Sequence, residues 1–116
     1  MKRGEIYWAN LSPSVGSEMD KTRPVLIVSN NLNNKHAATV TILPITSNLQ
    51  GRLYLFEVEL SADESGLDSD SKIKTNQIRT IDKRRINVLI GNLSTQKMIL
   101  IEKAMLIHLG IEINNL

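Results

Sequence analysis

The 116-residue chain has no cysteine, and it carries only two histidines, one tryptophan, two tyrosines and one phenylalanine. Without cysteine there can be no disulfide, no thiolate metal site and no cysteine nucleophile. His36 and His108 lie far apart and show none of the ligand spacing of a metal centre, so the sequence calls for no metal and no cofactor. So few rings disfavour a general single-strand binder that works by stacking on bases. Long apolar runs are also missing: none approaches the roughly 18 residues needed to span a bilayer. The N-terminal stretch "MKRGEIYWANL" interrupts its apolar positions with polar ones, unlike the core of a signal peptide. The sequence therefore reads as cytoplasmic, with no membrane partner.

What is present suits one globular domain covering residues 1–116, with 41% hydrophobic and 22% charged residues around a single core. The formal net charge is +2, which permits a nucleic-acid partner without requiring one. The distribution is uneven. Acidic residues gather between Glu57 and Asp70, and Lys72, Lys74, Arg79, Lys83, Arg84 and Arg85 follow.

Short apolar or alternating stretches separated by turn chemistry indicate strands. These are expected at residues 5–11, at 24–29, along "ATVTILPIT", at 52–60, across "KIKTNQIRTI" and at 88–91. "NNLNNK" and "DKRR" read as turns or short helical pieces, and "SADESGLDSDS" as a long polar loop. After Ser94 the period changes. Met98, Ile101, Met105 and Leu109 recur at three- and four-residue intervals, so a terminal helix is expected with Ser94 as N-cap, Gly110 as stop and this stripe against the core. Lys97 stands where a capping box would place Glu or Gln. Strands followed by a helix imply an α+β, mainly β domain, or a small barrel with a packed helix.

Three polar sites stand out. In "VGSEMDKTRPVLIVSN" the proline drives Arg23 out of the helical region and holds it extended at the mouth of an apolar strand. Its guanidinium offers five donors that suit phosphate oxygens. Upstream, Gly16 and Ser17 suit an anion-cradling loop. "PITS" ends a strand on two hydroxyls, Thr46 and Ser47. In "NQIRT" an unbroken strand would turn Thr75, Gln77 and Arg79 to one face, and Asn76, Ile78 and Thr80 to the other. From residue types alone, each is a candidate anion site and each has an ordinary structural explanation: a solvated strand end, a turn former or a polar strand face.

The segments "RGEIYWANLSP", "VGSEMDKTRPVLIVSN", "VTILPITS", "IKTNQIRTIDKRRI" and "IGNLS", in this order, resemble the MazF/PemK family of toxin-antitoxin endoribonucleases. The resemblance runs over essentially the whole chain. It implies a small curved SH3-like β-barrel of six to seven strands with a C-terminal helix, commonly a homodimer. It also implies metal-independent, sequence-selective cleavage of single-stranded RNA or mRNA by 2′-hydroxyl attack, inhibiting translation and growth. By motif, Arg23 and Thr46 match the family's catalytic residues, and Ser17, Ser47, Gln77 and Arg79 match positions lining the RNA groove. No histidine falls in these motifs, and the general base has no assignment. The implied partner is a cognate antitoxin whose disordered tail folds across the toxin.

The chain departs from many members at Asp20 and Lys21, where two glycines are common. Lys21 adds a positive charge that is a further candidate for RNA contact. Two other classes compete with the nuclease reading: a CcdB-like toxin, which shares the barrel but binds DNA gyrase, and an inactive RNA-binding relative. The presence of Arg23, Thr46 and Gln77 ranks both below it.

Overall fold

The apolar run from Val25 to Val28, in the strand as far as Ile27, is buried on both faces. Val25 and Ile27 enter one hydrophobic cluster with Ala9, Leu11, Val40, Ile42 and Ile81, whereas Leu26 and Val28 enter a second with Ile6, Leu43, Ile45, Leu60 and Ile73. A strand with core on both sides has no need of a polar alternation. The computed structural model describes residues 1–112.

Its order is β1 (Glu5–Asn10), β2 (Thr22–Ile27), α1 (Asn31–His36), β3 (Thr39–Thr46), β4 (Glu57–Leu60), α2 (Ala62–Ser65), β5 (Ser71–Lys74), β6 (Arg79–Asp82), β7 (Ile86–Asn92) and α3 (Thr95–Leu109). Single 3-10 turns at Thr75–Gln77 and Lys83–Arg85 flank β6. The antiparallel strands run β4-β5-β3-β2-β1-β7, with β6 also paired to β3. Strand β3 is the hub: its first half pairs with β6, its end with β5, and its other edge with β2. The result is the strongly curved, mainly β α+β fold that the sequence implied.

The terminal helix also forms as expected. Ser94 Oγ accepts from Lys97 N, and Gly110 closes the helix at φ 69° in the left-handed region that favours glycine. Its buried residues are Met98, Ile101 and Ala104; Met98 and Ile101 belong to the second cluster, and Met105 packs against it. Leu109 is not among the buried residues; it is 52% exposed.

Three expectations are corrected. Residues 52–56 are not strand: Glu57 N donates to the Tyr54 carbonyl at 2.9 Å, a turn that starts β4 only at Glu57. The polar loop contains a helical turn, α2, opened by a capping box between Ser61 and Glu64. "SADE" carries that signature openly. The fifth strand is broken in two. Thr75 turns inward, fully buried, and donates to the Phe56 carbonyl, so it does not share a face with Gln77 and Arg79.

Candidate functional site

The site begins in the ladder register. Val25 of β2 faces Pro44 of β3, and continuing that antiparallel register by two residues sets Arg23 opposite Thr46. Thr46 in turn pairs with Lys72 of β5, and Lys72 with Glu59 of β4. One row across the sheet therefore carries an arginine, a threonine, a lysine and, on β4, a glutamate on a common face.

Arg23 is half-buried, and its Nε donates to the Asp20 carbonyl at 2.7 Å. That bond leaves the two terminal nitrogens without a partner among the described residues. Thr46 is also half-buried, and its Oγ1 accepts from Asn48 N at 3.1 Å. With the oxygen so occupied, the hydroxyl proton is free to donate outward. Both side chains line a cavity of about 240 Å³, together with Asn48, Gln50, Lys72 and Lys74.

The loop that delivers Arg23 is tied down by its own polar groups. The Asp20 carboxylate accepts from the Ser12 hydroxyl and from Lys21 N, which together hold its carboxyl below the usual carboxylate range. Lys21 takes a φ of 69°, the only positive value at a non-glycine among the described residues. Its N–H also donates to Ser12 Oγ at 3.1 Å and its carbonyl accepts from Leu11 N at 2.9 Å. Backbone bonds thus hold a lysine in the conformation that glycine adopts more readily.

Gln77 sits on the 3-10 turn and fastens the same loop. Its Oε1 accepts from Met19 N at 3.2 Å, and its Nε2 donates to the Ser17 carbonyl at 3.4 Å. Arg79 donates to the Leu11 carbonyl at 3.3 Å. Ser17, Gln77 and Arg79 line a cavity of about 290 Å³ with Glu18 and Asn76. Ser47 is exposed and lines a third cavity of about 260 Å³ with Arg23, Trp8 and Asp68. Arg23 therefore stands as a wall between two concavities.

Of the residues singled out in the sequence, Arg23, Thr46 and Ser47 come together around the start of β2 and the end of β3. Ser17, Gln77 and Arg79 gather beside them, joined through the residue 17–19 loop. The side chain of Lys21 lines none of these cavities. Among the described residues no three His, Cys, Asp or Glu side chains cluster as metal ligands, and no helix is long and apolar enough to cross a membrane.

A family model for PemK-like, MazF-like toxins of type II toxin-antitoxin systems matches residues 2–109. The chain belongs to this family. It is 39% identical over 111 residues to Endoribonuclease EndoA of Bacillus subtilis (strain 168), covering 96% of each chain. Among solved structures it is similar to MazF from Deinococcus radiodurans, with a TM-score of 0.83 and 25% identity over 96% of this chain and 97% of that one. It is likewise similar to a mycobacterial endoribonuclease in complex with its cognate antitoxin, with a TM-score of 0.79 and 25% identity over 97% of both chains.

In this MazF-like toxin, sequence reasoning passed over Lys72, Lys74, Asn48 and Gln50. The lysines had a signal: two like charges at a spacing of two in a strand must share a face. The uneven charge pattern carried no sign that Lys72 is buried and Lys74 partly so. Much of that basic run is already engaged. Lys83 donates to the Asn34 carbonyl, Arg84 pairs with Asp82, and Arg85 donates to the Asn10 and Ser12 carbonyls.

Proposed function

We propose that the chain is the toxin of a type II toxin-antitoxin pair, a cytoplasmic endoribonuclease that cleaves single-stranded RNA without a metal. The observation that carries the reading is the cavity shared by Arg23 and Thr46, each with its donors left free by one fixed hydrogen bond. A phosphodiester placed between them would meet a guanidinium on one side and a hydroxyl donor on the other.

The reaction attacks phosphorus with the neighbouring ribose 2′-oxygen. The bond from phosphorus to the 5′-oxygen breaks, giving a 2′,3′-cyclic phosphate and a 5′-hydroxyl. The proton lost from the 2′-hydroxyl balances the one gained by the leaving oxygen. Arg23 stabilises the charge that grows on the pentacoordinate phosphorane and delivers the proton to the leaving oxygen. Thr46 holds a non-bridging oxygen and aligns the attack. Ser17, Lys21, Ser47, Gln77 and Arg79 contact or shape the path of the flanking RNA.

The partners follow from the family: single-stranded RNA as substrate, an antitoxin whose tail occupies the groove, and a second copy of the chain. The exposed Leu100, Ile107 and Leu109 of α3 supply apolar surface for such assembly. The test is incubation of pure protein with mixed RNA in excess chelator, followed by end mapping. Cyclic phosphate and 5′-hydroxyl ends are expected. Intact RNA at high protein concentration would overturn the activity, and cleavage only on adding metal would overturn the mechanism.

A further inference from the structure

Glu57 is almost wholly buried, with a side chain only 2% exposed, yet it carries a carboxylate. Lys72 Nζ lies 3.4 Å from one of its oxygens and Lys74 Nζ lies 3.6 Å from the other. Lys72 is itself nine-tenths buried. Both distances exceed the roughly 2.7–2.9 Å of a tight charge-assisted hydrogen bond. One carboxylate therefore serves two ammonium groups loosely, and positive charge is left over.

A purely structural role for this cluster would be a cross-strand ion pair tying β4 to β5, and Glu57 does face Lys74 in that ladder. In that ladder Lys72 likewise faces Glu59, so cross-strand pairing accounts for the register of both lysines. It does not explain why the Lys72 ammonium reaches Glu57 instead, in a cavity with Arg23 directly across the ladder from Thr46. The cavity wall thus presents three cations, Arg23, Lys72 and Lys74, and among the described residues Glu57 is the one anion paired with the two lysines. Each ammonium has three donors and Glu57 as its sole partner among the described residues. Concave walls with excess positive charge concentrate polyanions.

We propose that Lys72 and Lys74, gripped from below by Glu57, form a second phosphate subsite for the phosphodiester next to the one cleaved. The proposal rests on the ribonuclease reading above and adds to it a positioning device. Binding the neighbouring phosphate fixes the register of the strand, so that the scissile phosphate falls between Arg23 and Thr46. The lysines act on RNA placement rather than on the bonds that change.

The test compares wild type with Lys72→Gln, Lys74→Gln and the double variant, using mixed single-stranded RNA across a range of salt. Each single change is expected to lower kcat/KM about tenfold, mostly through KM. It should also reduce the slope of log kcat/KM against log salt by about 0.7, the value for one lost contact to a single-strand phosphate. Lys74→Arg should restore both. Melting curves identify any loss of fold, and Lys74→Arg, which keeps a cation beside the buried Glu57 Oε2 that Lys74→Gln leaves without one, separates that structural cost from the loss of a phosphate contact. If wild type cleaves and Lys74→Gln keeps its salt slope and KM, the subsite is wrong. If the variants lose kcat with the slope intact, the lysines are structural and the subsite is again wrong. Failure of wild type to cleave at all would instead overturn the ribonuclease reading.

Discussion

Arg23 Nε donates to the carbonyl of Asp20, three residues upstream, at 2.7 Å. The loop that carries the arginine to the strand mouth therefore also sets the plane of its guanidinium. Position and orientation come from one short segment, and this governs how the site should respond to change.

Arg23→Ala should lower cleavage by about 10²–10³-fold, the usual cost of losing a donor to a developing oxyanion. Arg23→Lys should not rescue it. A lysine keeps the charge but cannot both reach the Asp20 carbonyl and present a planar pair of donors. Circular dichroism and melting curves should show both variants folded, and wild-type cleavage by Arg23→Lys would show that charge alone suffices.

Thr46→Val is close to isosteric but has no hydroxyl. It removes both the acceptor for Asn48 N and the outward donor. We expect a fall in kcat of about 10²-fold, with Thr46→Ser retaining most of the activity. Single-turnover measurements separate this from binding, and an unchanged single-turnover rate would remove the hydroxyl from the chemistry.

Gln77→Ala should loosen the loop before Arg23, since it removes the acceptor of Met19 N and the donor to the Ser17 carbonyl. Hydrogen exchange at the Met19 amide should become faster while the exchange of β2 stays slow. Protection of Met19 equal to wild type would mean that the loop is held without Gln77.

Lys21→Gly should raise the melting temperature. A left-handed φ costs a non-glycine residue about 1–2 kcal/mol, and glycine's greater freedom in the unfolded chain returns about 0.5–1 kcal/mol of that. A net gain of up to about 1.5 kcal/mol is expected. A lower melting temperature would show that the lysine side chain makes a stabilising contact.

Acid should weaken the fold through Glu57. Burial by itself pushes this carboxyl up, but the N–H of Tyr54 and the ammonium groups of Lys72 and Lys74 outweigh it and hold it below the ordinary value of 4.5. A group depressed in the folded state contributes stability above its unfolded value and loses it as pH falls through the folded one. Stability should be flat in this respect above about pH 5 and should fall below pH 4.5. Glu57→Gln should flatten the acid limb of a plot of melting temperature against pH, and an unchanged limb would assign it to other carboxylates.

Much of the fold was legible because its signals are local. The apolar run at Val25–Val28, the threefold and fourfold spacing of Met98, Ile101 and Met105, and the Ser94 and Gly110 caps each act within a few residues. Where the reading failed, a competing contact came from afar. "KIKTNQIRTI" has the alternation of one strand, but β5 and β6 both pair with β3, and Thr75 turns in to bond the Phe56 carbonyl between them.

The sequence by itself determined that Arg23 would be extended at a strand mouth, because proline restricts the residue before it, and that hydroxyls would end β3 at Thr46 and Ser47. It could not say that these groups meet. That depends on the β2–β3 register, which is set by pairing between distant segments. The same holds for Lys72 and Lys74. Their shared face follows from the period of a strand, but a buried Glu57 beneath them follows only from β4 folding back on β5. Tertiary structure turned a stretch of surface-like charge into the wall of a cavity, because only there do desolvation and proximity act on those charges together.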